Sequence, residues 1–176
     1  MKDLIVITAV GNDRPGVVQQ LTQKILDCGG NIVESRMTAL GQDLAMLMMV
    51  AGNWHTMGRL ESELQKAAEH TGFTVSLRRT EARQVREDML PYAVDVVCLD
   101  QPGIVHNLVG FFASHGIEIA ELNTRSYAAA HTGAPMFSVQ IAISIPGSVH
   151  IAALREEFME FCDRMNLDAI LEPVKG

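Results

Sequence analysis

The amino-acid sequence predicts an α+β fold in which one small unit occurs twice in tandem. The clearest sign is that DRPGVV at residues 13–18 returns as DQPGIV at residues 100–105, an offset of 87 positions. At the same offset Gly29 matches Gly116. Each copy then shows the same order of alternating strand patterns and amphipathic helical stripes. A chain of 176 residues, 48% of them hydrophobic, contains enough apolar material for two small cores.

The first copy begins with a strand pattern at residues 3–9, and two more follow at 31–39 and 43–51. The glycine pair at 29–30 is expected to end the helix between the first two strands. A second helix follows the third strand, and residues 73–77 form a closing strand, so the order is βαββαβ. The apolar stripes of the two helices are Val17, Val18, Leu21, Ile25 and Cys28, and Met57, Leu60, Leu64 and Ala68.

The second copy repeats this order, with strands predicted at about 92–99, 117–127 and 136–145 and a longer hairpin loop at 128–135. Split βαβ units of this kind form an antiparallel sheet with both helices on one face, which is the ferredoxin-like arrangement. The helical stripes of this copy are Ile104, Val105, Leu108 and Phe112, and Ile151, Leu154, Phe158 and Cys162.

The repeat also sets the predicted domain boundaries. The first domain is assigned to residues 1–82 and the second to residues 91–176. Residues 83–90 lack sustained periodicity and are interpreted as a linker.

The third strand is apolar on both faces, because Leu44, Met46 and Met48 alternate with Leu47 and Met49. Such a strand has to be covered on both faces. We therefore expect the second face, or a sheet edge, to be buried by the sister domain or by another chain, and a homodimer is one possibility. Its methionines suit either an adaptable interface or an irregular core.

The charge distribution argues against a broad DNA-binding face, since such faces depend on lysine and arginine. The net charge is −7, with −1 in residues 1–88 (10 basic, 11 acidic) and −6 in residues 89–176 (4 basic, 10 acidic). The basic stretch around the linker is interpreted as a solvated connector, with a docking site for an acidic partner as the alternative. It consists of Arg78, Arg79, Arg83 and Arg86.

We expect a cytoplasmic protein, because the sequence shows no signal-peptide pattern and no apolar stretch near the roughly 20 residues that span a bilayer. The widely spaced Cys28, Cys98 and Cys162 are interpreted as reduced core thiols.

The repeated Asp-x-Pro-Gly segments are the first candidate sites, because each lies where a strand turns into a helix. Asp13 and Asp100 are expected to cap the first helical turn, and Gly16 and Gly103 to let another group approach the backbone closely. The free amides and positive dipole end of such a helix can hold a small carboxylate. A capped helix start equally needs no ligand.

Asn31 is the second candidate, sixteen residues after Pro15 at the predicted start of the second strand. We expect its amide beside the same end of the sheet, where it would receive the ammonium group of an amino acid. The alternative is an ordinary turn residue. Glu118 occupies the matching position in the second copy, so the two sites need not bind alike.

The repeat with DRPG at 13–16 and GNI at 30–32 resembles the ACT domain, a small regulatory module that binds amino acids at domain interfaces. The segments LIVITA at 4–9, ESRM at 34–37 and MMVAGNW at 48–54 are more narrowly similar to the tandem-ACT family of glycine cleavage system repressors.

This resemblance implies a cytoplasmic regulator that represses transcription by associating with a DNA-binding activator protein, with glycine opposing repression. It implies no DNA contact by the chain itself. The predicted ligand-binding residues are Asp13, Arg14, Gly16 and Asn31 in the first copy and Asp100, Gly103 and Glu118 in the second.

No catalytic constellation is found in the sequence, so we predict that the protein is not an enzyme and needs no cofactor or metal. The six histidines are scattered, without a metal-binding pattern, a nucleophile elbow or a phosphate loop. Two alternatives to the transcriptional regulator stay open: a free-standing amino-acid-binding module that controls a metabolic enzyme, and a purely structural protein.

Overall fold

A computed structural model of the chain describes residues 3–84, 86 and 88–174. The predicted element order βαββαβ is present twice. The first copy consists of β1 (Asp3–Asn12), α1 (Val17–Asp27), β2 (Asn31–Leu40), β3 (Asp43–Gly52), α2 (Trp54–Thr71) and β4 (Thr74–Thr80). The second consists of β5 (Met89–Leu99), α3 (Ile104–Ser114), β6 (Glu118–Ala128), β7 (Pro135–Pro146), α4 (Ile151–Met165) and β8 (Asp168–Pro173).

Each copy forms a four-stranded antiparallel sheet, in the order β2-β3-β1-β4 and β6-β7-β5-β8. The α+β fold class is thereby confirmed. The boundary between the two compact units falls after Gln84. Strand β5 already begins at Met89, inside the segment 83–90 that the sequence assigned to the linker.

The helices of each copy cover one face of their sheet, as predicted, and the apolar stripes form the cores. Strand positions that alternate with solvent-facing residues complete each core, because successive side chains point to opposite faces. The buried helical residues are Val17, Leu21, Ile25, Met57, Leu60 and Leu64 in the first copy and Ile104, Leu108, Phe112, Leu154, Phe158 and Cys162 in the second.

Helix α1 ends at the predicted glycine pair. The Gly30 N–H donates to the carbonyl of Ile25 at 2.9 Å, and the Gly29 N–H donates to that of Leu26 at 2.8 Å. Gly29 has a φ of 82°, so this is a Schellman motif. Gly30 is required for a different reason: a Cβ atom there would lie 2.7 Å from Cγ1 of Val50.

Strand β3 is covered on one face only within its own domain. Met46 and Met48 are buried against the helices, whereas Leu47, on the opposite face, is 46% exposed. Both helices of a split βαβ unit pack on the same side of the sheet, so the helices of the domain leave this second face uncovered, and its burial by the sister domain or by another chain stays a prediction.

His115 connects the two helices of the second copy. Its Nδ1 lies 2.8 Å from the carbonyl oxygen of Phe111 and its Nε2 lies 2.9 Å from Oε2 of Glu157 on α4. Both ring nitrogens therefore face acceptors, which only the protonated imidazolium can satisfy together. The hydrogen bond to Phe111, followed by that to Glu157, raises the pKa of His115 above its ordinary value.

The cysteines are core thiols, as predicted. Cys28, Cys98 and Cys162 are buried and form no disulfide. Burial raises the pKa of each thiol, that of Cys162 to about 11, so all three stay protonated at neutral pH.

Alanine substitutions at Gly30 and Gly58 are predicted to change the free energy of unfolding in opposite directions. Gly30→Ala should lower the free energy of unfolding by about 1–3 kcal/mol, because the added methyl overlaps Val50. Gly58→Ala, in α2 with open space around its Cβ position, should raise it by about 0.5–1 kcal/mol. Urea unfolding followed by circular dichroism measures both, and equal effects of the two substitutions would contradict this packing.

The His115 contacts predict a pH-dependent contribution to stability. Because the folded-state pKa is raised, the stabilisation is complete below about pH 6.5, the ordinary value, and is lost as pH rises through the folded-state pKa. His115→Gln should therefore cost about 0.5–1 kcal/mol more at pH 5.5 than at pH 9 in urea unfolding. His131→Gln, in an exposed loop, is the control. A cost that is the same at both pH values would refute the charged bridge.

Candidate ligand-binding turns

The chain enters α1 through a tight turn at residues 14–17. The Val17 N–H donates to the carbonyl of Arg14 at 3.3 Å, and Gly16 has a φ of 88° and a ψ of −11°. With Pro15 at the second position, this is a type II turn. Gly103 has nearly the same geometry, with a φ of 90° and a ψ of −4°. The two turns are therefore equivalent in backbone conformation.

The surroundings of Gly16 show a backbone reason for the glycine, and the expected close approach of another group stays a prediction. A Cβ atom at Gly16 would have no neighbour within 4 Å, so no other part of the chain approaches it closely. The glycine is needed because an L side chain is unfavourable at a positive φ. The open space beside it is accessible from solvent.

The prediction that Asp13 and Asp100 cap the helices is wrong. The N-cap positions belong to Gly16 and Gly103, which have no side chain, and the aspartates lie three residues earlier. The backbone of Asp13 instead donates to the carbonyl of Gln42 at 3.0 Å. Among the described residues, nothing accepts a hydrogen bond from the amides of the two residues after Val17. The start of α1 thus retains free donors and a positive dipole end.

The carboxylates of the two turns have different surroundings. Oδ2 of Asp100 accepts a hydrogen bond from Oγ of Ser126 at 2.9 Å. The strand register places Ala39 at the position equivalent to Ser126, so Asp13 lacks this hydroxyl donor. The Asp13 carboxylate is exposed and has its acceptor sites available.

Arg14, predicted to bind a ligand, reaches toward the end of α2. Its Nη2 donates to the carbonyl of Thr71 at 3.0 Å. A cation near the C-terminus of a helix is favourable, because the last carbonyls are unpaired. Gln101 stands at the equivalent position of the second copy, so this charge is specific to the first turn.

Asn31 does not lie beside the start of α1, and the expectation of a shared sheet end is wrong. Asn31 pairs with Ala51, which pairs with Leu4 near the beginning of β1, whereas the chain leaves β1 at Asn12. Eight residues of strand separate these rows, or about 27 Å. Helix α1 runs back along the sheet between these two ends, so its start and the start of β2 lie at opposite ends of the sheet.

Glu118, the counterpart of Asn31, is engaged in an ion pair. Its Oε1 lies 3.1 Å from Nη1 of Arg86, and Nε of Arg86 lies 3.6 Å from Oδ1 of Asp88. Sequence reasoning noted the charge at this position but could not identify its partner 32 residues away. The start of β6 is therefore occupied by a local ion-pair network.

The part of the chain that the structure describes contains neither a metal-binding cluster nor a membrane-spanning helix. In residues 3–84, 86 and 88–174, no group of three or more His, Cys, Asp or Glu side chains is placed to hold a metal ion. Within the same ranges, no helix is long and apolar enough to span a membrane.

Comparison with known proteins identifies the family. The ACT domain family matches residues 3–78. A relative from Escherichia coli (strain K12), named glycine cleavage system transcriptional repressor, is 30% identical over 170 residues, which cover 97% of this chain and 90% of that protein. The chain belongs to the glycine cleavage system transcriptional repressor family. A relative with the same name from Shigella flexneri matches to the same extent.

Solved structures contain the same tandem ACT fold as this repressor-family chain. An unknown protein from Galdieria sulphuraria has a TM-score of 0.80 at 26% identity, over 99% of this chain and 100% of that chain. A structure provisionally named glycine cleavage system transcriptional repressor has a TM-score of 0.73 at 24% identity, over 100% of this chain and 99% of that chain. Membership of this family supports a regulatory role.

Proposed function

We propose that the chain is an amino-acid-responsive regulator of glycine cleavage genes that acts in the cytoplasm through contact with a DNA-binding activator protein. The observation that carries this proposal is the extent of the match to the E. coli repressor, which includes both ACT copies and 90% of the relative's length. A match confined to one copy would fit any protein with an ACT domain.

The electrostatics favour a protein partner over direct DNA contact. The net charge is −7, and arginines of the basic stretch are engaged locally. Arg79 forms two hydrogen bonds with Glu61, at 2.8 and 3.3 Å, and Arg86 pairs with Glu118. These pairs reduce the positive charge available for phosphates, on which non-specific DNA affinity depends.

We further propose that a small amino acid, glycine in particular, binds at the first turn. Its carboxylate would accept hydrogen bonds from the free amides at the start of α1, where the helix dipole is positive. The exposed Asp13 carboxylate, which directly precedes this turn, would receive the ammonium group. A zwitterion fits this pair of opposite charges better than a simple anion, which Asp13 would repel.

The second turn is proposed as the weaker site. Ser126 already donates to Asp100. An incoming ammonium group would compete with this existing partner. We therefore expect one strong glycine site per chain, formed by Asp13 and Gly16, while Asp100 and Gly103 form a site of lower affinity.

Asn31 enters this proposal in a restricted way. A glycine ligand bound beside Gly16 cannot also contact Asn31 of the same domain, because Gly16 and Asn31 lie at opposite ends of the sheet. Asn31 can reach that ligand only if a second domain presents it, which is the arrangement that the ACT resemblance implies.

Titration calorimetry of the full chain with glycine tests the site. Saturable binding with one strong site per chain is expected, and Asp13→Asn should weaken it by about tenfold, because a charge-assisted hydrogen bond is lost. Asp27→Asn, at the other end of α1, is the matched control and should leave affinity unchanged. No heat with glycine, serine or alanine, or equal effects of the two substitutions, would reject the site.

The same titration with Asn31→Ala tests whether Asn31 contributes to glycine binding. Unchanged affinity indicates a site contained in one turn. A loss of tenfold or more shows that Asn31 is presented by a second domain, and the single-turn site would then be wrong.

A gel-shift assay tests the protein-contact mechanism. At physiological salt the isolated chain should not retard a duplex containing a glycine cleavage promoter, because its surface is acidic. The DNA-binding activator should retard this duplex. The chain should change the amount or mobility of that activator complex, and glycine should reverse the change. A specific shift by the chain alone would overturn the proposal, and glycine binding without any effect on the activator complex would favour the enzyme-controlling alternative.

A further inference from the structure

The helix-free face of the first sheet is apolar at its centre. Because side chains alternate along a strand, Val6 and Val10 of β1 and Leu47 and Met49 of β3 lie on this face. Val10 and Leu47 are each 46% exposed. A contiguous apolar surface of this kind is a feature of binding sites rather than of ordinary solvated faces. We call it the open face of the first sheet.

The second sheet provides an internal comparison, because its open face has smaller apolar side chains in the central row: Ala93 and Ala142 replace Val6 and Met49. Asp95 and Gln140 replace Thr8 and Leu47, and Nε2 of Gln140 donates to Oδ1 of Asp95 at 3.2 Å. Nearby, Nδ2 of Asn123 donates to Oε1 of Glu121 at 3.0 Å. The second open face thus carries smaller apolar side chains and a polar pair that is satisfied internally.

The open face carries charges of opposite sign at its two edges. One row of the sheet reads Glu34 on β2, Met49 on β3, Val6 on β1 and Arg78 on β4. An acid therefore stands at one edge and a base at the other, with apolar residues between them. Within the described residues, Glu34 pairs with Arg36 of its own strand, at 3.2 Å, and Arg78 forms no ion pair.

This row is complementary to a copy of itself. Consider two sheets that face each other, related by a two-fold axis that lies between them and runs parallel to the strands. This rotation places the β2 edge of one copy over the β4 edge of the other, and the row of one copy faces the same row of the other. It brings Glu34 of one copy opposite Arg78 of the other, twice, and stacks Met49 on Val6. Isologous interfaces require this kind of self-complementarity.

We propose that the open face of the first sheet is a homodimer interface, in which a second copy of this chain packs face to face about an axis parallel to the strands. The occupant follows from the charge pattern, because an unrelated partner has no reason to match both edges of one row. This inference does not depend on glycine binding or on the activator.

The size of the face sets the expected strength. Four strands at about 4.8 Å spacing and six to seven residues of length give about 400–500 Å² per copy. The total is below that of a standard stable interface, so the dissociation constant should be on the order of 10–100 µM. The dimer should therefore form and dissociate within an accessible concentration range.

Sedimentation equilibrium of the full chain, between about 2 and 500 µM, tests this arrangement. The wild-type chain should show a concentration-dependent monomer–dimer equilibrium. Glu34→Arg and Arg78→Glu should each weaken it by at least about tenfold, because each creates two like-charge contacts per dimer. Both residues are exposed, so circular dichroism should show unchanged folding.

Mixing the two single variants gives the decisive result. One variant has two basic edges and the other two acidic edges, so an equimolar mixture should form a heterodimer about as strong as the wild-type dimer, within about threefold. The double variant should recover self-association to the same extent. Glu121→Arg, at the same register position in the second sheet, is the matched control and should leave the equilibrium unchanged.

Three results would overturn the proposal. A wild-type chain that stays monomeric over the whole range would leave the face to a different partner. Single variants that dimerise as well as the wild type would remove the edges from the interface. A mixture that fails to associate, although each single variant is weakened, would exclude the two-fold axis parallel to the strands.

Discussion

Helix α1 is held antiparallel to β1 by the burial of Val17, Leu21 and Ile25, and this one packing arrangement determines where the chemistry of the first domain can lie. The chain leaves β1 at one end of the sheet and enters β2 at the other. The helix start, with its free amides, is thereby separated from Asn31 by the full length of the helix, about 16 Å for 11 residues. The same packing commits both helices to one face and leaves the other face of the sheet open.

The two copies conserve this backbone arrangement and differ in the side chains placed upon it. Gly16 and Gly103 adopt the same positive φ, yet the neighbouring aspartate accepts a hydrogen bond from Ser126 only in the second copy. The open faces differ in the same manner: Gln140 replaces Leu47, and the smaller Ala93 and Ala142 replace Val6 and Met49. Each copy is thus stabilised by the same core pattern while its turn and its open face carry different interactions.

The fold was predictable because its determinants are local or periodic. Alternation in the strands, the 3.6-residue stripes of the helices and the glycine pair at 29–30 each follow from burial or from backbone conformation. The strand bounds differ mainly at the ends, where β5 starts earlier than expected, at Met89. Hairpin pairing extends those ends without requiring an apolar residue at each position.

The candidate site was predicted less well because its contacts are set by tertiary geometry. Aspartate is a residue type that often caps helices, which favoured Asp13 as the N-cap. The Pro-Gly sequence instead forms a type II turn, so the N-cap residue is Gly16. The Ser126 hydroxyl and the Arg86 guanidinium come from 26 and 32 residues away, which no local pattern indicates. The misplacement of Asn31 was avoidable, since a helix that returns along a sheet begins and ends at opposite sides of it.

The buried cysteines have a consequence for the kind of signal that such a regulator can detect. Oxidants such as peroxides react with exposed thiolates, and burial keeps Cys28, Cys98 and Cys162 protonated and shielded. A change in cellular redox state therefore leaves these side chains intact. Any regulation by this chain would therefore not proceed through oxidation of its cysteines, because every thiol lies in or beside a core that a sulfenic acid would disrupt.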